Sequence, residues 1–399
     1  MNNLQKELLK FLKHGIKGEK VELKSNFNLE KFLKLAEEHK IKGIIYSAIK
    51  KENYNNNLIM EELKRDTFMS ALSQRNHLNE VYRVFTKLNE AEIEVIALKG
   101  LVIRELYPIP DLRTMCDSDI LVREKDLVKV GEVLEELGYR KNEEKDEHGA
   151  HFVYLAPHYY PIEVHWTLIN DDFFKGDKGF EDNIWNNVVQ VNVNGAEVKG
   201  LSLEDLAFHL CSHMAVHMVY GGFGLRQLCD LVLLVEKRDR EIDWDKFLSI
   251  VYSSGIEKFV FTIFYICKEL FDLRIPFITR KNIKVKRKYI NDLIEDIFKD
   301  GVHASKDMCN TFANEFAFDK DDTSGFKKFM LFIFPPANKL DEKYWYAKKN
   351  KILIPIAWIH HLIIGVFRTE YSFKDKFKFI LLTGYISNKK NKLLKWLEL

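Results

Sequence analysis

Residues 116–122 read CDSDILV. Ile120, Leu121 and Val122 give the run strand character, and in a strand successive side chains alternate between faces. Asp117 and Asp119 then point one way and Ser118 the other. Two carboxylates placed side by side repel, so their ionised forms call for a compensating cation. Magnesium suits such hard oxygen ligands, because it retains waters and takes further ligands from phosphate oxygens. In a two-metal arrangement one ion activates an attacking oxygen and the other steadies a leaving group. Two exposed aspartates at the start of an ordinary strand would read the same way, so the flanking sequence has to decide.

Downstream, YPIEVHWTL (160–168) is an apolar strand that carries an acid. A carboxylate there is costly unless paired or liganded. Glu163 and His165 share one face, while Ile162, Val164 and Trp166 share the other. If this strand lies beside DSDILV, three carboxylates converge; the plainer alternative is a Glu163–His165 or Glu–Arg pair at a sheet edge. Upstream, EIEVIAL (92–98) reads as a strand ending at Lys99-Gly100. A glycine lets backbone approach a phosphate, a helix N-terminus offers free amides, and lysine adds a point charge. Arg113, four residues before Asp117, could clamp a phosphate, pair with the aspartates or form a structural salt bridge.

Three textures surround these strings. Residues 1–88 read as helices, with apolar residues at helical spacing in LEKFLKLAEEHKIKGIIYSAIKK (29–51) and again through residues 57–91. Residues 89–200 read as α/β. HFVYLA (151–156) is a further strand, and VVQVNVNGAEVKGL (188–201) alternates around Asn194-Gly195, a hairpin signal because that dipeptide tolerates positive φ. Residues 201–399 read as helices again, beginning at a Ser202 N-cap with Asp205 three positions later. Charged runs such as RKNIKVKRKY (280–289) and FDKDDTSGFKK (318–328) read as solvated loops and helix ends. ILIPIAWIHHLIIGVF (352–367) is too short for a membrane span, carries two histidines and reads as a buried helix.

A formal charge of +2 argues against a nucleic-acid partner, which usually demands a basic excess. The five cysteines, Cys116, Cys211, Cys229, Cys267 and Cys309, form no C-x-x-C pair and are odd in number. Reduced thiols in a cytoplasm fit that pattern better than zinc ribbons or disulfides. MNNLQKELLKFLKHG at the start is amphipathic and unlike a signal peptide, again pointing to the cytoplasm. His209, His213 and His217 recur every four residues along one helix face. That stripe could bind a metal, line a cleft, or be a polar seam between packed helices. Arg226 and Asp230 lie four apart on the next helix, where an intrahelical ion pair is the default.

ALKG (97–100), YPIPDLRTMCDSDILV (107–122), ELGY (136–139) and YPIEVHW (160–166) occur in an order that resembles the bacterial nucleotidyltransferase family often labelled uncharacterised, within the polymerase-β-like superfamily. EEHKIKGIIYSAI (37–49) and AFHLCSHMAVHMVYGGFGLRQLCDLVLLV (207–235) are also similar to it, so the resemblance spans roughly residues 30–260. It implies an α+β fold: a mixed sheet with helices, flanked by helical regions, bearing a D-x-D strand and a third acid on a nearby strand. It also implies Mg²⁺- or Mn²⁺-dependent transfer of a nucleotidyl group from a nucleoside triphosphate, with release of pyrophosphate. The acceptor would be a hydroxyl or phosphate of a small molecule, peptide or protein. Asp117, Asp119 and Glu163 become the metal ligands, with Glu163 the candidate general base. Lys99 and Gly100 stand where the superfamily has a glycine-serine turn, and Ser118 replaces the apolar residue more often found between the two acids. Lys99, Gly100, Arg113, His165 and Arg226 are the candidate nucleotide contacts. A non-catalytic nucleotide-sensing or peptide-binding module is the rival reading. For a catalytic site, Asp117→Asn and Asp119→Asn are expected to behave alike, abolishing turnover at little cost to the fold.

Overall fold

The structure is a computed structural model that describes residues 1–23, 28–50, 58–142, 151–168, 183–277, 286–301, 334, 336, 340, 344–367 and 388–399. FDKDDTSGFKK, Cys309 and the first six residues of RKNIKVKRKY lie outside the described residues. Four helices lead in: α1 (Asn3–Lys17), α2 (Leu29–Glu38), α3 (Lys42–Ala48) and the long α4 (Leu58–Glu90). The alternating segments then form β1 (Val95–Ala97), β2 (Ser118–Val122), β3 (Arg140–Lys141), β4 (His151–Leu155), β5 (Ile162–His165), β6 (Val189–Val193) and β7 (Ala196–Gly200). Between β1 and β3 lie the one-turn helix α5 (Gly100–Ile103) and α6 (Leu127–Glu136). Helices α7 (Leu203–Tyr220) and α8 (Leu225–Arg238) follow β7.

Among the described residues the strands make one mixed sheet in the order β3-β4-β5-β2-β1-β7-β6. β2 runs antiparallel to β1 and parallel to β5, and β7 runs parallel to β1. The β6–β7 hairpin turns at Asn194 and Gly195, whose φ values are 51° and 96°. Both lie in the left-handed region that a two-residue primed turn requires. At the start of α7, the Ser202 hydroxyl donates to Asp205 and accepts the Asp205 N–H, which closes the helix end.

One face of the sheet is apolar. Val95 and Ala97 of β1, Ile120 and Val122 of β2, and Ile162 and Val164 of β5 pack against Leu78, Val81, Val84, Phe85 and Leu88 of α4 and Val130 and Leu134 of α6. Each such buried side chain contributes roughly 1.5–3 kcal/mol. The helical lead-in and the sheet therefore share one core, because α4 supplies a wall of it. The chain as a whole forms two compact units, residues 1–216 with 223–303, and residues 217–222 with 304–399.

In the second unit, Ile354–Phe367 is helical as the sequence predicts, but over residues 354–360 it is largely exposed and not buried. Ile356 and Ile359 are 55% and 58% exposed. Ala357 is buried in a small cluster with Leu340, Tyr344 and Ala347. No described helix is long and apolar enough to cross a membrane.

Two buried polar side chains of α4 reach into the strands that carry the acids. The Gln74 amide donates to the Met115 carbonyl at 3.0 Å and accepts the Met115 N–H at 2.9 Å, copying a strand pairing two residues before Asp117. His77 accepts the Tyr160 N–H at Nδ1 (3.3 Å), so its neutral ring carries the proton on Nε2 and donates it to the Ser118 hydroxyl at 2.6 Å. Burial lowers the His77 pKa to about 4, which keeps the ring neutral. Gln74→Ala leaves two buried backbone groups without partners, and we expect a loss of about 2–3 kcal/mol in urea unfolding. A loss within error of zero would show that the loop before Asp117 does not need this clamp.

Candidate active site

The opposite face of the sheet carries the acids. The β2–β5 register sets Asp119 directly across from Glu163, and Leu121 across from His165. His165 Nε2 lies 3.0 Å from Asp119 Oδ1 and 3.6 Å from Glu163 Oε2, so one imidazole faces both carboxylates. Asp117 stands two residues earlier, close enough to Asp119 and Glu163 for both charges to bear on its ionisation. The structure thus gathers the three predicted acids and His165 on one face.

The two aspartates are not equivalent. Burial pushes the Asp119 carboxyl up, but Lys99 and the His165 hydrogen bond hold it well below the usual carboxylate range. Lys99 Nζ donates to Asp119 Oδ1 at 2.7 Å, and both side chains are more than nine-tenths buried. Asp117 is half-buried and has no such ion pair among the described residues; the charges of Lys99 and Arg226 act on it from farther away. Burial, then the charges of Asp119 and Glu163, raise its pKa from 3.8 to about 6. A carboxyl held up by neighbouring acids is a place where a divalent cation relieves repulsion, so these residues fit a metal.

Lys99 sits at the end of β1 with φ 38° and ψ −112°, a strained backbone for a residue with a Cβ. Its ammonium turns inward to Asp119. A Cβ on Gly100 would lie 2.4 Å from Arg113 Nη1 and 3.0 Å from Met115 Sδ, so the close approach that this glycine permits here is by protein side chains. Arg113 grips Asp230 with two hydrogen bonds, Nε to Oδ1 at 3.2 Å and Nη2 to Oδ2 at 2.6 Å, and the Tyr107 hydroxyl donates to the same carboxylate at 2.7 Å. Of the readings open for Arg113, the structure forms the salt bridge, which ties the loop before β2 to α8. The expected Arg226–Asp230 pair is displaced by it. Arg226 instead donates from Nη1 to the Thr114 carbonyl, leaves its buried Nε without a hydrogen-bond partner, and bears on Asp117.

His209 and His213 of α7 also belong to these surroundings. His209 is 3% exposed, neither of its ring nitrogens has a hydrogen-bond partner, and burial holds its pKa well below the ordinary value. Lys99, His165 and Asp119 act on it electrostatically, and His213 acts on Asp119. His217 falls in the other unit. Sequence reasoning did not single out His151. It lies directly across from His165 in the β4–β5 pairing, with Nε2 3.8 Å from Glu163 Oε2. Strand alternation in HFVYLA was the available signal: Tyr154 faces the apolar core, which turns His151 to the acid face. A separate cavity of about 440 Å³ opens beside Thr114, Met115 and Cys116, lined also by Lys40, Asp66 and Tyr160.

With this fold and face in view, family comparison gives a direct answer: the chain belongs to the family described as uncharacterised nucleotidyltransferase, which matches residues 25–272. Two solved structures show a weaker likeness. One is the antibiotic-resistance factor ANT(2'')-Ia in solution, 14% identical, covering 42% of this chain and 87% of that one at a TM-score of 0.32. The other is ANT(2'')-Ia crystallised in complex with adenylyl-2''-tobramycin, 13% identical, covering 44% of this chain and 98% of that one, again at 0.32. No curated protein matches the chain.

The inequivalence of the aspartates corrects the expectation that their Asn variants behave alike. Asp117 titrates higher in the folded protein than its ordinary 3.8, so its protonated form favours folding, and that contribution is lost as pH rises through about 6. In metal-free buffer at pH 8, Asp117→Asn should therefore gain roughly 1–2 kcal/mol over the wild type, a gain that disappears below about pH 4. Asp119→Asn strands the buried Lys99 ammonium and should lose roughly 3 kcal/mol. Denaturant melts of both variants in chelator decide this; shifts of the same sign and size would contradict it.

Proposed function

We propose that this nucleotidyltransferase moves a nucleoside monophosphate from a nucleoside triphosphate to a hydroxyl or phosphate of a small molecule, peptide or protein, releasing pyrophosphate. The observation that carries the reading is the meeting of Asp117, Asp119 and Glu163 on one sheet face, with Asp119 directly across from Glu163. Asp117, Asp119 and Glu163 would hold Mg²⁺ or Mn²⁺. When bound there, the ions neutralise charge on the triphosphate and on the departing pyrophosphate.

The chain's own groups do the rest. Glu163 takes the proton from the acceptor hydroxyl as its oxygen bonds to the α-phosphorus. The bond from that phosphorus to the bridging oxygen breaks, and pyrophosphate carries away the electron pair. His165, hydrogen-bonded to Asp119, orients that carboxylate and sets its imidazole beside Glu163. Lys99 keeps Asp119 ionised, and its buried ammonium is taken up by that carboxylate. Arg226, whose Nε–H has no hydrogen-bond partner and whose charge acts on Asp117, is the candidate phosphate contact. The cavity beside Cys116 is lined by Asp66, Thr67, Ser70 and Gln74 of α4 and by none of the three acids, so it is not assigned to the acceptor. A nucleic-acid acceptor is disfavoured by the near-neutral charge. The thiols of Cys116, Cys211, Cys229 and Cys267, joined in no disulfide among the described residues, are in keeping with a cytoplasmic setting.

A non-catalytic nucleotide sensor has one observation on its side: the Lys99–Asp119 pair already gives one acid a counterion. Calorimetry of each nucleoside triphosphate with and without Mg²⁺, run beside a pyrophosphate assay over a panel of polar acceptors, separates the two. We expect Mg²⁺-dependent pyrophosphate release, reduced more than about 100-fold by Asp117→Asn, beyond the range for loss of an outer-sphere partner. Tight nucleotide binding without turnover on any acceptor would favour the sensor.

A further inference from the structure

His151, Glu163 and His165 place their ligand atoms within 4.8 Å of one another. Both imidazoles turn Nε2 toward the same atom, Glu163 Oε2, at 3.8 and 3.6 Å. Those separations are too long for hydrogen bonds. They are close to the spacing between ligands around one ion, about 3.4 Å for a tetrahedron with bonds of about 2.1 Å. The rings stand 4.8 Å apart at 36°, fixed by the direct pairing of His151 with His165 across β4 and β5. Adjacent strands set the backbone positions of all three residues.

We propose that His151, Glu163 and His165 form a site for a first-row transition-metal dication, zinc above all, whose donor chemistry differs from that of Asp117 and Asp119. Two imidazoles and one carboxylate are the donor set of borderline metals, whereas Mg²⁺ prefers oxygen alone. Glu163 is shared with the nucleotidyl-transfer proposal, but occupancy of the histidine site requires neither nucleotide nor turnover. Binding there exchanges the His165 contact with Asp119 for a bond to the metal, since Nε2 cannot serve both at once.

The test uses the full chain, stripped with chelator and titrated with Zn²⁺ against a chromophoric competitor in excess Mg²⁺, and separately with Co²⁺. One equivalent of Zn²⁺ should bind despite the Mg²⁺, and Co²⁺ should develop visible bands of nitrogen and oxygen ligation. His151→Ala and the bulkier His151→Gln should each weaken Zn²⁺ binding by at least about tenfold. Asp117→Asn, which removes a neighbouring charge but no ligand atom, should weaken it less than either His151 variant. Displacement of Zn²⁺ by Mg²⁺, or undiminished Zn²⁺ binding in a folded His151 variant, overturns the site. The Mg²⁺ competition decides alone if both variants unfold. Zinc binding that survives in a protein with no nucleotidyl transfer would leave this site standing and remove the proposed reaction, so the two failures are distinct.

Discussion

β2 and β5 lie side by side and point the same way, with Asp119 across from Glu163 and Ser118 across from Ile162. Side chains on a strand change face at every residue, so a slip of one position would send Glu163 to the apolar core and bring Ile162 or Val164 to the acids. The core forbids that slip, because Ile162 and Val164 pack under α4 and α6. Packing on one face thereby fixes chemistry on the other. Gln74 and His77 reinforce the register from the same helix, one holding the chain before β2 and the other bridging Ser118 to the chain before β5.

The opposing face is a balance of charge among buried and half-buried groups. Lys99 and His165 satisfy Asp119, Asp230 satisfies Arg113, and Asp117 is left as the acid with the least compensation. Such partial neutralisation suits the proposed site, which would exist both without and with bound cations. Full pairing of every acid would leave nothing for a metal to improve, whereas no pairing would make the metal-free fold costly.

Much of this was legible in the amino-acid order, and the rest was not for identifiable reasons. Alternation alone put Glu163 and His165 on one face of their strand, and Asn194-Gly195 announced the hairpin. Those are local signals, read within a few residues. The pairing of β2 with β5 joins residues more than forty positions apart and rests on a shared core, which no local period reveals. Asp230 illustrates the same limit. Its neighbour in sequence, Arg226, was the natural partner by helical spacing, yet Arg113 from a distant loop holds it with a two-pronged grip. His151 escaped notice because its importance comes from the strand opposite.

β1 is an interior strand of the sheet, yet its two neighbours come from very different parts of the chain. β2 follows within about twenty-five residues, whereas β7 arrives only near residue 200. During synthesis the β7-facing side of β1 must therefore wait, its amides and carbonyls unmatched, while a hundred residues emerge. An open central strand is a template for pairing with other chains. A nascent or truncated fragment ending before β7 would carry that sticky edge, so the hairpin that closes the sheet also guards the protein against self-association on its way to the folded state.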